Sequence, residues 1–360
     1  MTAPGPVVLT PRQRLESRLV RTLAALPSPA QRVLSGRPVH GDQGQLEVQV
    51  QLLLRLMALA GEESFETLPV EEARESIRVE AAAFAGAPVP GVVAQPLQVD
   101  GAEGPLPARL YVPEGAPRPG PLVVWFHGGG WVVGDLDSHD PVCRFLAHAA
   151  GIPVLAVDYR LAPEAPFPAA PLDALASFRW AVEHAVELGA DPARVAVAGD
   201  SAGGNLAAVV SLLAARDGGP APAFQALVYP VTDLSRKSES YRLFPTGYFL
   251  TEAQMDWYRD HYVPQPAQRT DPRVSPLLAE DLSGLAPAYV TVGGFDVLRD
   301  ESVAYAQRLR EAGVPTTLRL HPGLIHGFVN AAGVASVAAD AVRELAAAIV
   351  SGLSPETPTR

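Results

Sequence analysis

The sequence predicts an α/β fold: a mostly parallel eight-stranded sheet flanked by helices and preceded by a helical segment. After "APVPG" (87–91) the apolar pattern changes from helical to extended. From Leu122 onward, short valine-rich runs that are apolar on both faces alternate with helical stretches, as parallel strands covered by helices do. One of these runs, "VAVAG" (195–199), passes through "DSAGGN" directly into a helix, so a strand-to-helix bend centres on Ser201.

Residues 11–26, "PRQRLESRLVRTLAAL", place leucines at 15, 19, 23 and 26, a helical stripe, with Arg12, Arg14, Arg18 and Arg21 among them. A basic amphipathic helix suits a membrane or partner surface. Packing of the stripe against this acidic chain is the favoured reading. "SPAQRVLSGRPVHGDQG" reads as a connection with turns, and residues 47–59 as a second helix. "PVEEARESIRVEAAAFAG" reads as a third, acidic in its first turn and with Gly86 past its end. Strands are expected at 95–99 and 108–112, around the turn "DGAEGPLP", then at 122–126, 154–158, 195–199, 226–230, 288–292 and 316–320. Residues 206–215 are too short and polar for a membrane span and read as a buried helix. The aromatic and polar stretch 231–275 interrupts the strand–helix rhythm after the sixth strand. A connection of that length has a task, such as covering an active site.

Composition excludes several functions. The net charge of −11 over 360 residues argues against a general nucleic-acid binder, which needs basic patches to displace counterions. Cys143 is the single cysteine, so neither an internal disulfide nor a thiolate zinc site can form; it is expected to be buried. A chain free of disulfides, with no leader pattern at its start and no membrane-length apolar run, is expected to be cytoplasmic and not inserted in a membrane. Lys237 is the only lysine and follows Arg236, so no P-loop exists, and its polar surroundings "DLSRKSES" read as an exposed loop. No His-Glu-x-x-His occurs and no Gly-x-Gly-x-x-Gly follows a strand, so neither metal nor cofactor is expected.

Gly199-Asp200-Ser201-Ala202-Gly203 on a strand-to-helix bend has the form of a nucleophile elbow. Gly199 and Gly203 allow backbone segments to approach closely, and Gly204 allows close helix packing. A serine hydroxyl needs a base, and the elbow requires an acid and then a histidine later in the chain. Asp296 follows the strand "AYVTV" and His326 follows "TTLRL", each in a loop where the C-terminal strand edges meet. Asp300, His321 and His261 are the rivals: Asp300 lies in a helix, His321 adjoins a strand end and His261 sits in the insertion. "HGGGW" (127–131) follows the strand 122–126, and Gly128, Gly129, Gly130 and Ala202 are the candidate amide donors for a tetrahedral oxyanion. His127 reads as a loop-ordering residue. Asp158 and Arg160 are expected to form an ion pair that supports the glycine loop, Asp200 to bond to backbone, and Asp300 and Glu301 to sit at a helix start. Trp131, Phe244, Tyr248, Phe249, Trp257 and Tyr258 are candidate pocket walls.

Together "HGGGW" (127–131), "DYRLAPE" (158–164), "GDSAGGN" (199–205), "DVLRDE" (296–301) and "HGF" (326–328) resemble the hormone-sensitive-lipase-like group (family IV) of bacterial carboxylesterases, over residues 95–345. The resemblance implies an α/β-hydrolase domain over 91–350, with a cap formed by residues 1–90 and 231–275. It implies Ser201 as nucleophile, Asp296 as acid and His326 as base. It further implies oxyanion donors at Gly129, Gly130 and Ala202, no cofactor, and short- to medium-chain esters as substrates. An amidase or formamidase with the same triad is the alternative, as is a ligand-binding receptor on this fold. The receptors of that kind, resembling plant gibberellin receptors, have lost the histidine that stands here as His326. The partner is expected to be a small ester, with a homodimer allowed. The first 35 or so residues extend beyond the family's usual start.

Overall fold

β1 (Val92–Gly101) and β2 (Gly104–Pro113) form an antiparallel hairpin in which Gly101 faces Gly104 across a two-residue turn. β3 (Gly120–Phe126), β4 (Val154–Val157), β5 (Ala190–Asp200), β6 (Phe224–Val228), β7 (Ala288–Phe295) and β8 (Thr316–Ile325) follow. The computed structural model, which describes residues 9–61 and 64–354, joins them in one sheet of order β1-β2-β4-β3-β5-β6-β7-β8. The β1–β2 and β2–β4 pairs are antiparallel and the others parallel. Every residue of β3, β4, β6 and β7 is buried, which explains why those strands read as continuous apolar runs rather than alternating ones. The strand order turns back at β3, between β4 and β5, so the C-terminal ends of β3 and β5 open the crevice where ligands bind in such sheets.

The helices are α1 (Pro11–Ala24), α2 (Ser28–Ser35), α3 (Val48–Ala60), α4 (Val70–Phe84), α5 (Asp140–Ala150), α6 (Ala169–Glu183), α7 (Ala202–Asp217), α8 (Glu239–Leu243), α9 (Glu252–Tyr262), α10 (Arg299–Glu311) and α11 (Ser336–Gly352). α5 packs against α11 and α6 against α7, covering the sheet. α7 is apolar around its circumference and buried for most of its length, as expected for residues 206–215. α8 and α9 lie in the insertion. α9 reaches the N-terminal helices through Phe65, whose ring lies 5.7 Å from Trp257 and 5.5 Å from Tyr258. Cys143 is buried in α5.

Three expectations are corrected. Residues 28–35 are helical rather than a plain connection: Pro29 falls in the first turn, where no intrahelical amide bond is needed, and Gly36 ends the helix at φ 88°. The sixth strand lies two residues earlier than 226–230, because Tyr229 takes φ 35° and Pro230 has no amide to donate. The leucine stripe of α1 is its packing face only in part, since Leu23 and Leu26 are half-buried but Leu15 and Leu19 are not. Ser17, Val20 and Ala24 face the molecule, with Ser17 Oγ donating to Ala83 O at 2.8 Å, while Leu15 and Leu19 are 68% and 52% exposed.

Candidate active site

β5 ends at Asp200 and α7 begins at Ala202, so Ser201 alone makes the bend. It does so at φ 57° and ψ −116°, a conformation strained for a residue with a side chain. The strain is held from both sides: Ser201 N donates to Val228 O at 2.9 Å, and Asn205 N donates to Ser201 O at 3.0 Å. A Cβ on Gly203 would collide with Phe126 O, and one on Gly199 would lie 2.5 Å from Gly203 O, so both flanking positions require glycine.

The loops after β7 and β8 bring two more groups to Ser201. His326 Nε2 lies 3.0 Å from Ser201 Oγ, and His326 Nδ1 lies 2.8 Å from Asp296 Oδ2. Asp296 Oδ1 accepts from Leu298 N at 2.9 Å, which fixes the carboxylate, and the His326 ring rests on Tyr229 at 4.3 Å. All three residues are buried, so the Ser201–His326 and His326–Asp296 hydrogen bonds are largely shielded by protein. The rivals lie elsewhere. Asp300 accepts from Ser240 N at 2.8 Å, His261 Nδ1 donates to Trp257 O at 2.8 Å, and His321 packs on Phe328.

The glycine loop faces the same spot. Gly128 N donates to Asp200 Oδ1 at 2.9 Å, so this amide is already engaged. The amides of Gly129, Gly130 and Ala202 have no acceptor among the described residues. Gly129 sits at φ 110°, and a Cβ there would collide with Val133 O. Gly129, Gly130, Ser201 and His326 border a cavity of about 260 Å³, walled by Met57, Phe65 and Ile77 from the N-terminal segment and by Phe249 and Tyr258 from the insertion. A second, apolar cavity of about 100 Å³ adjoins it at His326, between Leu53, Leu54, Phe84 and Phe328. Of the other candidate wall residues, Trp131 is fully buried and stacked on Tyr262 at 4.1 Å, Phe244 and Tyr248 pack on Phe295, and Trp257 meets Phe65.

A family model described as "alpha/beta hydrolase fold" matches residues 123–330. The carboxylic ester hydrolase LipN of Mycobacterium tuberculosis is 46% identical over 346 residues, 93% of this chain and 91% of that one. The carboxylesterase NlhH of the same species is 45% identical, over 67% of this chain and 77% of its own. Among solved structures, an ester hydrolase from the metagenome of Lake Arreo, complexed with a derivative of bipyridine phosphonate, superposes with a TM-score of 0.82 at 43% identity, covering 85% of this chain and 98% of that one. A thermostable esterase from Pseudomonas putida gives 0.83 at 36% identity, covering 86% and 98%. This chain belongs to the hormone-sensitive-lipase-like carboxylesterases of the α/β-hydrolase fold. It is a carboxylic ester hydrolase of the serine type.

Behind the glycine loop of this esterase lies a buried polar cluster that the sequence only partly announced. His127 Nδ1 donates to Gly128 O at 2.7 Å and its ring stacks on Tyr159 at 4.3 Å, while Tyr159 OH donates to His127 O at 2.8 Å. Burial, with His139 close by, lowers the His127 pKa to about 4, so it is neutral at pH 7 and orders the loop as a donor. Burial opposes the charge on Asp200, but His139, whose Nε2 is 3.3 Å away, and then His127 outweigh it and hold the carboxyl below the usual carboxylate range. Asp200 thus bonds to backbone, as expected, and to the loop itself. Tyr159 lies inside "DYRLAPE" and was legible as part of that motif, whereas His139 carries no local signal. The expected Asp158–Arg160 pair does not form: Arg160 binds Asp173 at 2.7 Å and Glu103 at 2.6 Å, tying the β1–β2 turn to α6. Both residues follow the end of β4, outside the strand, and Arg160 is drawn to the fully buried Asp173 carboxylate of α6. Asp158 instead lies 3.9 Å from His127 Nε2. Asn205 was also missed as a functional group; its Nδ2 donates to Val231 O and Val274 O, both at 2.8 Å, and so clips together the two ends of the insertion.

Proposed function

We propose that this esterase hydrolyses short- to medium-chain acyl esters, with Ser201 as nucleophile, His326 as general base and Asp296 as the carboxylate that orients it. The observation that carries the reading is the buried row Ser201 Oγ–His326 Nε2, His326 Nδ1–Asp296 Oδ2, at 3.0 and 2.8 Å, on a strained elbow. His326 takes the Ser201 proton as Oγ attacks the ester carbonyl, and Asp296 stabilises the imidazolium that forms. The oxyanion of the tetrahedral intermediate is met by the amides of Gly129, Gly130 and Ala202, whose N–H groups are unclaimed among the described residues. Gly128 contributes by holding the loop on Asp200 rather than by donating to the substrate. The alcohol leaves with the proton from His326, which then activates water to release the acid from Ser201.

Residues 1–90 and 231–275 act as the cap over the catalytic domain. Support comes from the cavity at Ser201, whose walls alternate between the two segments, and from the Phe65 contacts with Trp257 and Tyr258. The small apolar cavity beside His326 favours a short acyl chain.

Ser201→Ala is expected to lower p-nitrophenyl butyrate turnover by on the order of 10⁴-fold or more with an unchanged circular-dichroism spectrum. Full activity in that variant removes Ser201 from the mechanism. A matched anilide tests the amidase alternative, with turnover expected to be far slower than for the ester.

A further inference from the structure

Five of the largest exposed apolar side chains lie on the first three helices: Leu15 and Leu19 on α1, Val33 and Leu34 on α2, and Leu59 on α3, with Val33 81% and Leu59 74% exposed. Arg14, Arg18, Arg21, Arg32 and Arg37 stand exposed on the same segment, and none has a carboxylate partner among the described residues. Arginines of the catalytic domain, by contrast, are commonly paired, as Arg109 is with Asp137 and Asp140, and Arg299 with Asp42 and Asp300. The polarity extends to the sequence. Residues 1–40 hold six arginines and one carboxylate, in a chain whose net charge is −11. On α1, Leu15 and Leu19 are four residues apart on the outward face, with Arg18 between them in sequence and Arg14 and Arg21 on the flank. Apolar side chains at the centre of an exposed helical face with arginines along its edge are what an interfacial helix presents to lipid.

We propose that α1–α3 form a docking face for an anionic lipid bilayer, on which the protein lies without spanning it. Charge complementarity selects the occupant: an unpaired cationic patch on an otherwise acidic protein is drawn to a negative surface and oriented by it. Among the described residues no helix is long and apolar enough to cross a membrane, so the contact is interfacial. α4 carries Glu71 and Glu72 in its first turn, so the contact with anionic lipid is made by the arginine-bearing helices α1–α3. Docked in this way, the protein turns the mouth of a groove of about 750 Å³ toward the bilayer. Leu19 and Leu59 lie on its walls together with Glu72, Glu75 and Glu80 of α4, and its apolar side continues through Leu53, Met57 and Phe84 to the cavity at His326. The delivery of ester along this groove rests on the catalytic reading of Ser201; the docking does not.

The test is co-sedimentation of the full chain with phosphatidylcholine vesicles containing 30 mol% phosphatidylglycerol, against pure phosphatidylcholine, at about 50 mM and 500 mM salt. Expected is binding to the anionic vesicles only, at least tenfold weaker at high salt. Arg14→Glu/Arg18→Glu/Arg21→Glu and, separately, Leu15→Ser/Val33→Ser are each expected to weaken it at least tenfold, with p-nitrophenyl acetate turnover in solution retained as the check on folding. Ser201→Ala is expected to bind as the unaltered protein does, so loss of turnover with binding retained bears on the catalytic reading alone. Absence of vesicle binding, equal binding to neutral vesicles, or a stable dimer in solution that Leu15→Ser/Val33→Ser dissociates overturns the proposal.

Discussion

Gly129 shows how little tolerance the site has at single atoms. At φ 110°, with Val133 O where a Cβ would stand, Gly129→Ala forces the loop to shift and misdirects the amides beside Ser201. The expected result is a fall in kcat of about 10²–10³-fold with little change in KM, because an oxyanion donor acts on the transition state more than on the bound ester. Steady-state kinetics on p-nitrophenyl butyrate check it.

Asp158, also at the residue scale, couples the loop's support to pH. Burial, reinforced by the nearby carboxylates Asp135 and Asp137, raises its pKa to about 7. The folded protein therefore holds this proton more tightly than the unfolded chain, whose Asp titrates near 4. Its contribution to stability is full below the unfolded value and is lost as pH rises through about 7. Asp158→Asn is expected to raise the Tm relative to the parent at pH 8 and to leave the difference near zero at pH 4, as measured by calorimetry at both pH values.

The two ends of the insertion are joined by one side chain at the start of α7. Asn205→Ala leaves the buried carbonyls of Val231 and Val274 without their donor, and an unsatisfied buried acceptor costs about 1–3 kcal/mol. A destabilisation of about 2–4 kcal/mol is expected in urea unfolding, accompanied by a higher KM as the wall formed by Phe249 and Tyr258 loosens. This element also shows where sequence reasoning reaches its end. The length and aromatic content of 231–275 announced a cover over the site. Which of its aromatics face the substrate did not follow, because Phe244 and Tyr248 find Phe295, sixty or so positions from the insertion's start, only in the folded chain. α2 was missed for a different reason: its Pro29, read as a turn residue, is equally at home in a first helical turn.

Considered as a whole molecule, the ester pocket is assembled from parts far apart in sequence. Met57 and Ile77 come from α3 and α4, Phe249 from the insertion and Ile325 from the end of β8, and all line the cavity beside His326. Each acyl methylene buried there contributes ~0.8 kcal/mol, so kcat/KM is expected to rise roughly fourfold per carbon from acetate until the cavity is full. Met57→Trp, filling that space, is expected to move the preferred chain toward acetate without lowering kcat on p-nitrophenyl acetate. A chain-length series on both proteins measures the shift.

The sequence by itself determined the strand–helix alternation, the elbow at Ser201, and the chain order of Ser201, Asp296 and His326, because each is written in local periodicity or in a spacing set by the backbone. It also determined that glycines at 199 and 203 stand where only glycine fits. Tertiary structure alone decided that Gly128 bonds to Asp200 while Gly129, Gly130 and Ala202 stay free, that Arg160 turns to Asp173 and Glu103, and that Leu15 and Leu19 face outward. Those outcomes depend on which buried donor meets which acceptor across elements that are distant in sequence. A hydrogen bond or a packed face is chosen among competing partners only when the whole sheet and its helices are in place.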